Sequence, residues 1–87
     1  MIALKSLAVV VVTHNRQELL ARCLDGLARQ TVPPGAVYVI DNASTDGTAQ
    51  LLSGRSDLPL HVTRSAENLG GAGGFALGVQ LAHEAGG

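Results

Sequence analysis

Val9-Val10-Val11-Val12-Thr13-His14-Asn15-Arg16 is the stretch on which the fold turns. Leu7 to Val12 is an unbroken run of six apolar residues, most of them β-branched, and the chain becomes polar at once behind it. Such a run suits a strand of a parallel sheet covered on both faces, because a strand with one wet face alternates. Directly after it, Leu19, Leu20, Cys23, Leu24, Leu27 and Ala28 recur at helical spacing as one apolar stripe. The spacing predicts a helix from Arg16 to about Gln30, capped by Asn15 with Glu18 completing a capping box. A buried strand that passes straight into an amphipathic helix is the opening of a βαβ unit.

The alternation then repeats. Val32-Pro33-Pro34-Gly35 stops the first helix, and Ala36 to Ile40 reads as a second strand. Asp41-Asn42-Ala43-Ser44-Thr45-Asp46-Gly47 is a cluster of turn and capping residues, and a short helix is expected over Thr48 to Ser53. Leu60 to Arg64 reads as a third, weaker strand, and Ser65 to Gly74 as a glycine-rich loop. A last helix is expected from Phe75 to Ala85, with Phe75, Gly78, Val79 and Ala82 on one side. The order β-α-β-α-β-α predicts an α/β fold: an open, doubly wound, Rossmann-like parallel sheet with right-handed crossovers. Ligands of such sheets sit beyond the carboxyl ends of the strands. Three parallel strands leave an apolar edge bare, so residues 1–87 read as the first part of a longer domain, expected to self-associate or to be marginally stable alone.

Composition narrows the classes. With 46% hydrophobic residues and 15% charged ones, the 87 residues are no disordered tail. A net charge of -1 leaves no basic footprint for nucleic acid. One cysteine, Cys23, makes neither a disulfide framework nor a cysteine zinc site. The six-residue apolar run is far short of a membrane span and is followed by Thr-His-Asn-Arg rather than a cleavage site. A soluble, intracellular protein is expected.

The polar clusters fall where the three strands end. The Asp41 carboxylate can accept from a ribose hydroxyl or a base N–H, and the Asn42 amide matches the N3–H and O4 edge of uracil. The alternative is that Asn42 and Ser44 only form the turn while Asp46 caps the short helix. Gly71-Ala72-Gly73-Gly74-Phe75-Ala76 matches G-x-G-x-x-G/A by letter, but it follows the third strand rather than the first, which speaks against a nicotinamide site. Gly70 to Gly74 either let backbone approach a diphosphate or sugar, or form a flexible turn with close helix–sheet packing. His14 lies in the first loop, where its ring can stack on a base. Cys23 is expected as a packed thiol, His61 as a half-exposed strand residue and His83 as an answer to its helix dipole. No spacing makes a metal site or a Ser-His-Asp set.

Three separated segments carry a family resemblance. Val9 to Arg16, then Gln30-Thr31, then Ile40-Asp41-Asn42-Ala43-Ser44-Thr45-Asp46-Gly47-Thr48 resemble the inverting glycosyltransferases of family 2, which have the glycosyltransferase-A fold. Asn68-Leu69-Gly70-Gly71-Ala72-Gly73-Gly74-Phe75-Ala76-Leu77-Gly78 is similar to the glycine-rich segment of bacterial rhamnosyl- and, above all, galactofuranosyltransferases. The resemblance implies a UDP- or dTDP-sugar donor, UDP-galactofuranose in the first place. It also implies a glycan or lipid-linked glycan of the cell envelope as acceptor, and direct displacement with inversion. Thr13, His14, Asn15 and Arg16 with Asp41 and Asn42 would hold base and ribose, and Gly70, Gly71, Gly73 and Gly74 would lie near diphosphate and sugar. A divalent metal, Mg or Mn, belongs to the complete enzyme, but the family's Asp-x-Asp motif and base carboxylate come after the matched segment. The implied location is the cytoplasm, at the inner face of the membrane for the complete enzyme. The chain would then be a catalytically silent donor-binding part. The competing reading is a non-catalytic nucleotide-binding or interaction module with the same βαβ start.

Overall fold

The computed structural model describes residues 8–31 and 34–84. Its elements are β1 (Ala8–Thr13), α1 (Gln17–Ala28), β2 (Ala36–Asn42), α2 (Thr48–Ser53), β3 (Leu60–Ser65) and α3 (Gly70–Glu84). The expected start of the first strand at Leu7, the helix stop at Val32-Pro33 and the helix end at Ala85 lie outside the described residues. The strands form one sheet of order β1-β2-β3, parallel throughout, as strands joined by helical crossovers must be. Thr13 stands in register with Asp41, and Asp41 with Arg64, so the three strands end level at one sheet edge.

The alternation of side chains along the strands separates two layers. Val9, Val11, Val37 and Val39 face α1 and α2, where they join Leu20, Leu24, Leu52 and Leu58 in the main core. Val10, Val12 and Ile40 face α3, which packs across β1 and β2 on the other side. The sheet is therefore doubly wound, as expected. Strand β2, flanked on both sides, is buried from Val37 to Asn42, whereas β1 is only half-buried over Ala8–Val12 because one edge is open. The valine run thus has both faces covered but not its flank. β3 is the wettest strand, and its exposed His61 stacks on Tyr38 with ring centroids 4.9 Å apart.

Several expectations need correction. The buried side of α1 is narrower than the six-residue stripe: Leu20 and Leu24 are buried, whereas Leu19 is 56% exposed and Cys23 is exposed, not a packed core thiol. Both flank the open edge of β1, where no strand among the described residues covers them. Asn15 does not cap α1; Arg16 occupies that position and makes no side-chain cap bond, because the Asn15 side chain is engaged elsewhere. Asp41 and Asn42 belong to β2 itself rather than to the loop behind it.

The largest correction concerns the glycine run, which is helix and not loop: α3 begins at Gly70. Each interior glycine costs a helix about 1 kcal/mol relative to alanine. Close approach offsets that cost. A Cβ on Gly74 would lie 2.7 Å from Val12 Cγ1, and one on Gly78 would overlap Val10 Cγ1 and come within 3.3 Å of Ile40 Cγ1. The buried side of α3 is therefore Gly74, Gly78 and Ala82, four residues apart, while Phe75 and Val79 turn outward and are exposed. No helix among the described residues is long and apolar enough to cross a membrane.

Candidate functional site at the carboxyl ends of the strands

The three strand ends and their loops form one polar rim, and hydrogen bonds fix most of it. Asn15 adopts a left-handed backbone (φ 49), a region that asparagine tolerates better than most residues. From there its Oδ1 accepts the Thr45 N–H at 2.7 Å and the Asp46 N–H at 3.3 Å, while its own N–H donates to Ser44 Oγ at 3.0 Å. Gln17 reaches the same loop, its Oε1 accepting the Gly47 N–H at 3.0 Å. Asp46 accepts from the Thr48 N–H and hydroxyl at the start of α2, and from the Gln17 N–H. The Thr48 hydroxyl, above all, holds the Asp46 carboxyl below the usual carboxylate range. Gly47, not Asp46, occupies the cap position of α2, so the cap expected of Asp46 is displaced by one residue, although its carboxylate still accepts the first N–H of the helix.

Asn42 joins the second loop to the third. It is buried, its Nδ2 donates to the Gly70 carbonyl at 3.1 Å, and its Oδ1 accepts from Ser65 Oγ at 3.1 Å. The His14 ring, half-buried, donates from Nδ1 to the Asn42 carbonyl, which fixes it at the rim. Gly70 has φ +77, a backbone that favours glycine, and its N–H is capped by Asn68 Oδ1 at 2.8 Å. Gly71 and Gly73 are exposed on the first turns of α3, and Gly74 is packed under the sheet against Val12 and Asn42. Sequence reasoning missed Gln17, Ser65 and Asn68 as rim residues. Only Asn68 left a signal, an asparagine two positions before a glycine that opens a helix.

Two oxygens of the rim stay unspent. Thr13 and Asp41 are register partners on adjacent strands and share the α1 face of the sheet. Asp41 is 1% exposed and accepts the Ser44 N–H at Oδ1, 3.1 Å away, and no described group bonds to Oδ2. Thr13 Oγ1 is buried without a partner among the described residues. Burying a neutral hydroxyl unpaired costs about 1–3 kcal/mol, so Thr13 Oγ1, with the free Asp41 Oδ2 on the neighbouring strand, marks a place where the polar groups of a ligand are awaited. Arg16 stands beside them, exposed and free of carboxylate partners among the described residues. With Val11, Leu19 and Cys23, Thr13 and Arg16 line an apolar groove along the open edge of β1. The rim therefore offers acceptors, the cations Arg16 and Arg64 and an apolar wall, a set suited to a nucleoside with an anionic tail. Among the described residues no group of three or more His, Cys, Asp and Glu gathers, so they offer a metal ion no seat.

Residues 8–84 match the model of the family described as glycosyl transferase family 2. The galactofuranosyltransferase GlfT1 of Mycolicibacterium smegmatis is 46% identical over 70 residues, 80% of this chain and 23% of the relative. GlfT1 of Mycobacterium tuberculosis is 43% identical over 79 residues, covering 86% of this chain and 25% of its own length. A mannosyltransferase from Pyrobaculum calidifontis, solved in complex with GDP-Man and Mn2+, superposes with a TM-score of 0.76 at 29% identity, over 87% of this chain and 24% of that one. The chain spans about a quarter of the length of these relatives.

Proposed function

This chain belongs to glycosyl transferase family 2, and we propose that it is the donor-binding part of a glycosyltransferase that uses UDP-galactofuranose. The observation that carries the reading is the pair of unspent oxygens, Thr13 Oγ1 and Asp41 Oδ2, side by side where β1 and β2 end. A nucleoside presents there what both lack: the N3–H of uracil or a ribose hydroxyl for the carboxylate, and an acceptor for the threonine hydroxyl. Arg16 supplies a charge for the diphosphate, and the first turn of α3 directs backbone N–H groups to the same rim. The galactofuranosyl donor is supported by the GlfT1 relatives, and a divalent metal in the complete enzyme by the Mn2+ in the mannosyltransferase complex. The described residues hold no seat for that ion, and no step through it is assigned to them.

In the reaction we propose, an acceptor hydroxyl of a cell-envelope glycan attacks the anomeric carbon and the bond from that carbon to the diphosphate oxygen breaks. UDP leaves, the hydroxyl proton passes to a base, and the configuration inverts. This chain's own residues act at the nucleotide end alone: they bind, orient and shield the uridine. Titration of the chain with UDP, dTDP and GDP tests the reading. Preferential binding of UDP is expected; preference for GDP would move the chain toward donors like that of the mannosyltransferase, and no binding of any of the three would remove the reading.

A further inference from the structure

The Asn15 side chain has no oxygen capacity left for a ligand. Its Oδ1 accepts the Thr45 N–H (2.7 Å), the Thr45 hydroxyl (3.4 Å) and the Asp46 N–H (3.3 Å), and a carbonyl oxygen has only two lone pairs. Its Nδ2 lies 3.4 Å from His14 Nε2, the ring nitrogen left as acceptor when Nδ1 donates to Asn42. The loop that Asn15 grips contains Ala43, which has φ 53 although it carries a Cβ. A non-glycine residue stays in that region only when its surroundings over-determine it. The next residue, Ser44, is the one whose N–H orients the Asp41 carboxylate and whose hydroxyl accepts from Asn15 N–H.

We infer that Asn15 is a positioning residue for nucleotide binding: from the loop after β1 it latches the loop after β2, holds Ala43 at positive φ, and so keeps Ser44 aimed at Asp41. The inference rests on the nucleotide reading above, but the latch has consequences of its own. Without it, Ala43 relaxes to negative φ, the Ser44 N–H turns away, and the carboxylate loses the bond that aims Oδ2 at the rim. The ligand then meets a floppy acceptor although no group that touches it has been removed.

Two variants separate this role from a direct contact. Asn15→Gly keeps the left-handed backbone and deletes the latch; Asn15→Asp keeps the accepting oxygen and deletes the amide donor. Uridine is the probe, since it carries no phosphate for the added charge of Asn15→Asp to repel. Uridine affinity should fall at least about tenfold in Asn15→Gly, the equivalent of one or two net hydrogen bonds, and stay within about threefold in Asn15→Asp. Hydrogen exchange of the Thr45 and Asp46 amides, read in the same samples, should accelerate in Asn15→Gly and not in Asn15→Asp, while the β2 amides of Val39 and Ile40 remain slow in both. Equal affinity losses in the two variants would overturn the inference in favour of a ligand contact, and unchanged exchange in Asn15→Gly would show that no latch exists. Should Asn15→Gly fail to fold, Asn15→Ala takes its place, because faster Thr45 and Asp46 exchange there than in Asn15→Asp supports the latch and equal exchange in the two overturns it. Failure of the wild-type chain to bind uridine would overturn the nucleotide reading and the binding role with it, and the exchange rates would still decide the latch.

Discussion

Helix α1 meets the sheet with Leu20 and Leu24, whereas α3 meets the other face with Gly74, Gly78 and Ala82. Leucines hold a helix at arm's length and fill the gap with methyl groups. Glycines remove the gap, so that the α3 backbone lies directly on Val10, Val12 and Ile40. The close approach also brings the start of α3 to Asn42, whose amide holds the Gly70 carbonyl. A leucine-packed helix fails when its side chains shrink, and a glycine-packed helix fails when they grow. Alanine is the same probe for both, with opposite meaning at each site.

The largest effect is expected at α1. Leu24 is 0% exposed, and Leu24→Ala should destabilise the chain by about 2–5 kcal/mol, read from urea unfolding, through lost burial and the cavity left behind. Next comes Gly78→Ala, where helix propensity alone would give a gain of about 1 kcal/mol. Overlap of the new Cβ with Val10 should reverse that sign and cost about 1–3 kcal/mol, since Val10 is β-branched and Ile40 closes the other side. A stabilised Gly78→Ala variant would break the comparison.

How far the sequence could be read follows from the same contrast. β-branched runs, the helical spacing of the leucines and the Asp-Asn-x-Ser-Thr-Asp-Gly turn gave the six elements in order, and Thr48–Ser53 with its observed limits. Of the glycine run, close helix–sheet packing was legible as one of two alternatives, but its helical start at Gly70 was not, because local propensity opposes helix there and only close approach to Val10, Val12 and Ile40 on two distant strands makes it favourable. Asn15 misled for a related reason. Its place before an amphipathic helix has the form of a cap, yet its partners are 30 and 31 residues away, beyond what any local pattern encodes. Thr13 and Asp41 were legible as candidates from their place at strand ends, and their shared register came from the structure.

Smaller effects sharpen the contrast within α3. Nothing lies within 4 Å of a Cβ built on Gly71, so Gly71→Ala should stabilise the chain by about 0.5–1 kcal/mol in the same unfolding assay. A loss there would mean that the first turn of α3 needs glycine for a reason other than packing. The smallest effect belongs to the exposed Asp46. Its carboxyl is held below the usual range by the Thr48 hydroxyl first, so its contribution is present above the ordinary carboxylate pKa and is lost as pH falls through the depressed one. The Thr48 amide should exchange faster, relative to its intrinsic rate, once pH falls below the ordinary carboxylate range, and Asp46→Asn should flatten that dependence.

The central claim is that Asp41 Oδ2 receives a donor from a uridine nucleotide. Asp41→Asn tests it most directly, because the remaining oxygen can keep the Ser44 N–H while an NH2 group replaces the free acceptor. Calorimetric titration with UDP should show at least about a tenfold loss of affinity in Asp41→Asn, with the melting temperature little changed. Equal UDP affinity in the two proteins would contradict the account and leave Asp41 a residue of the turn.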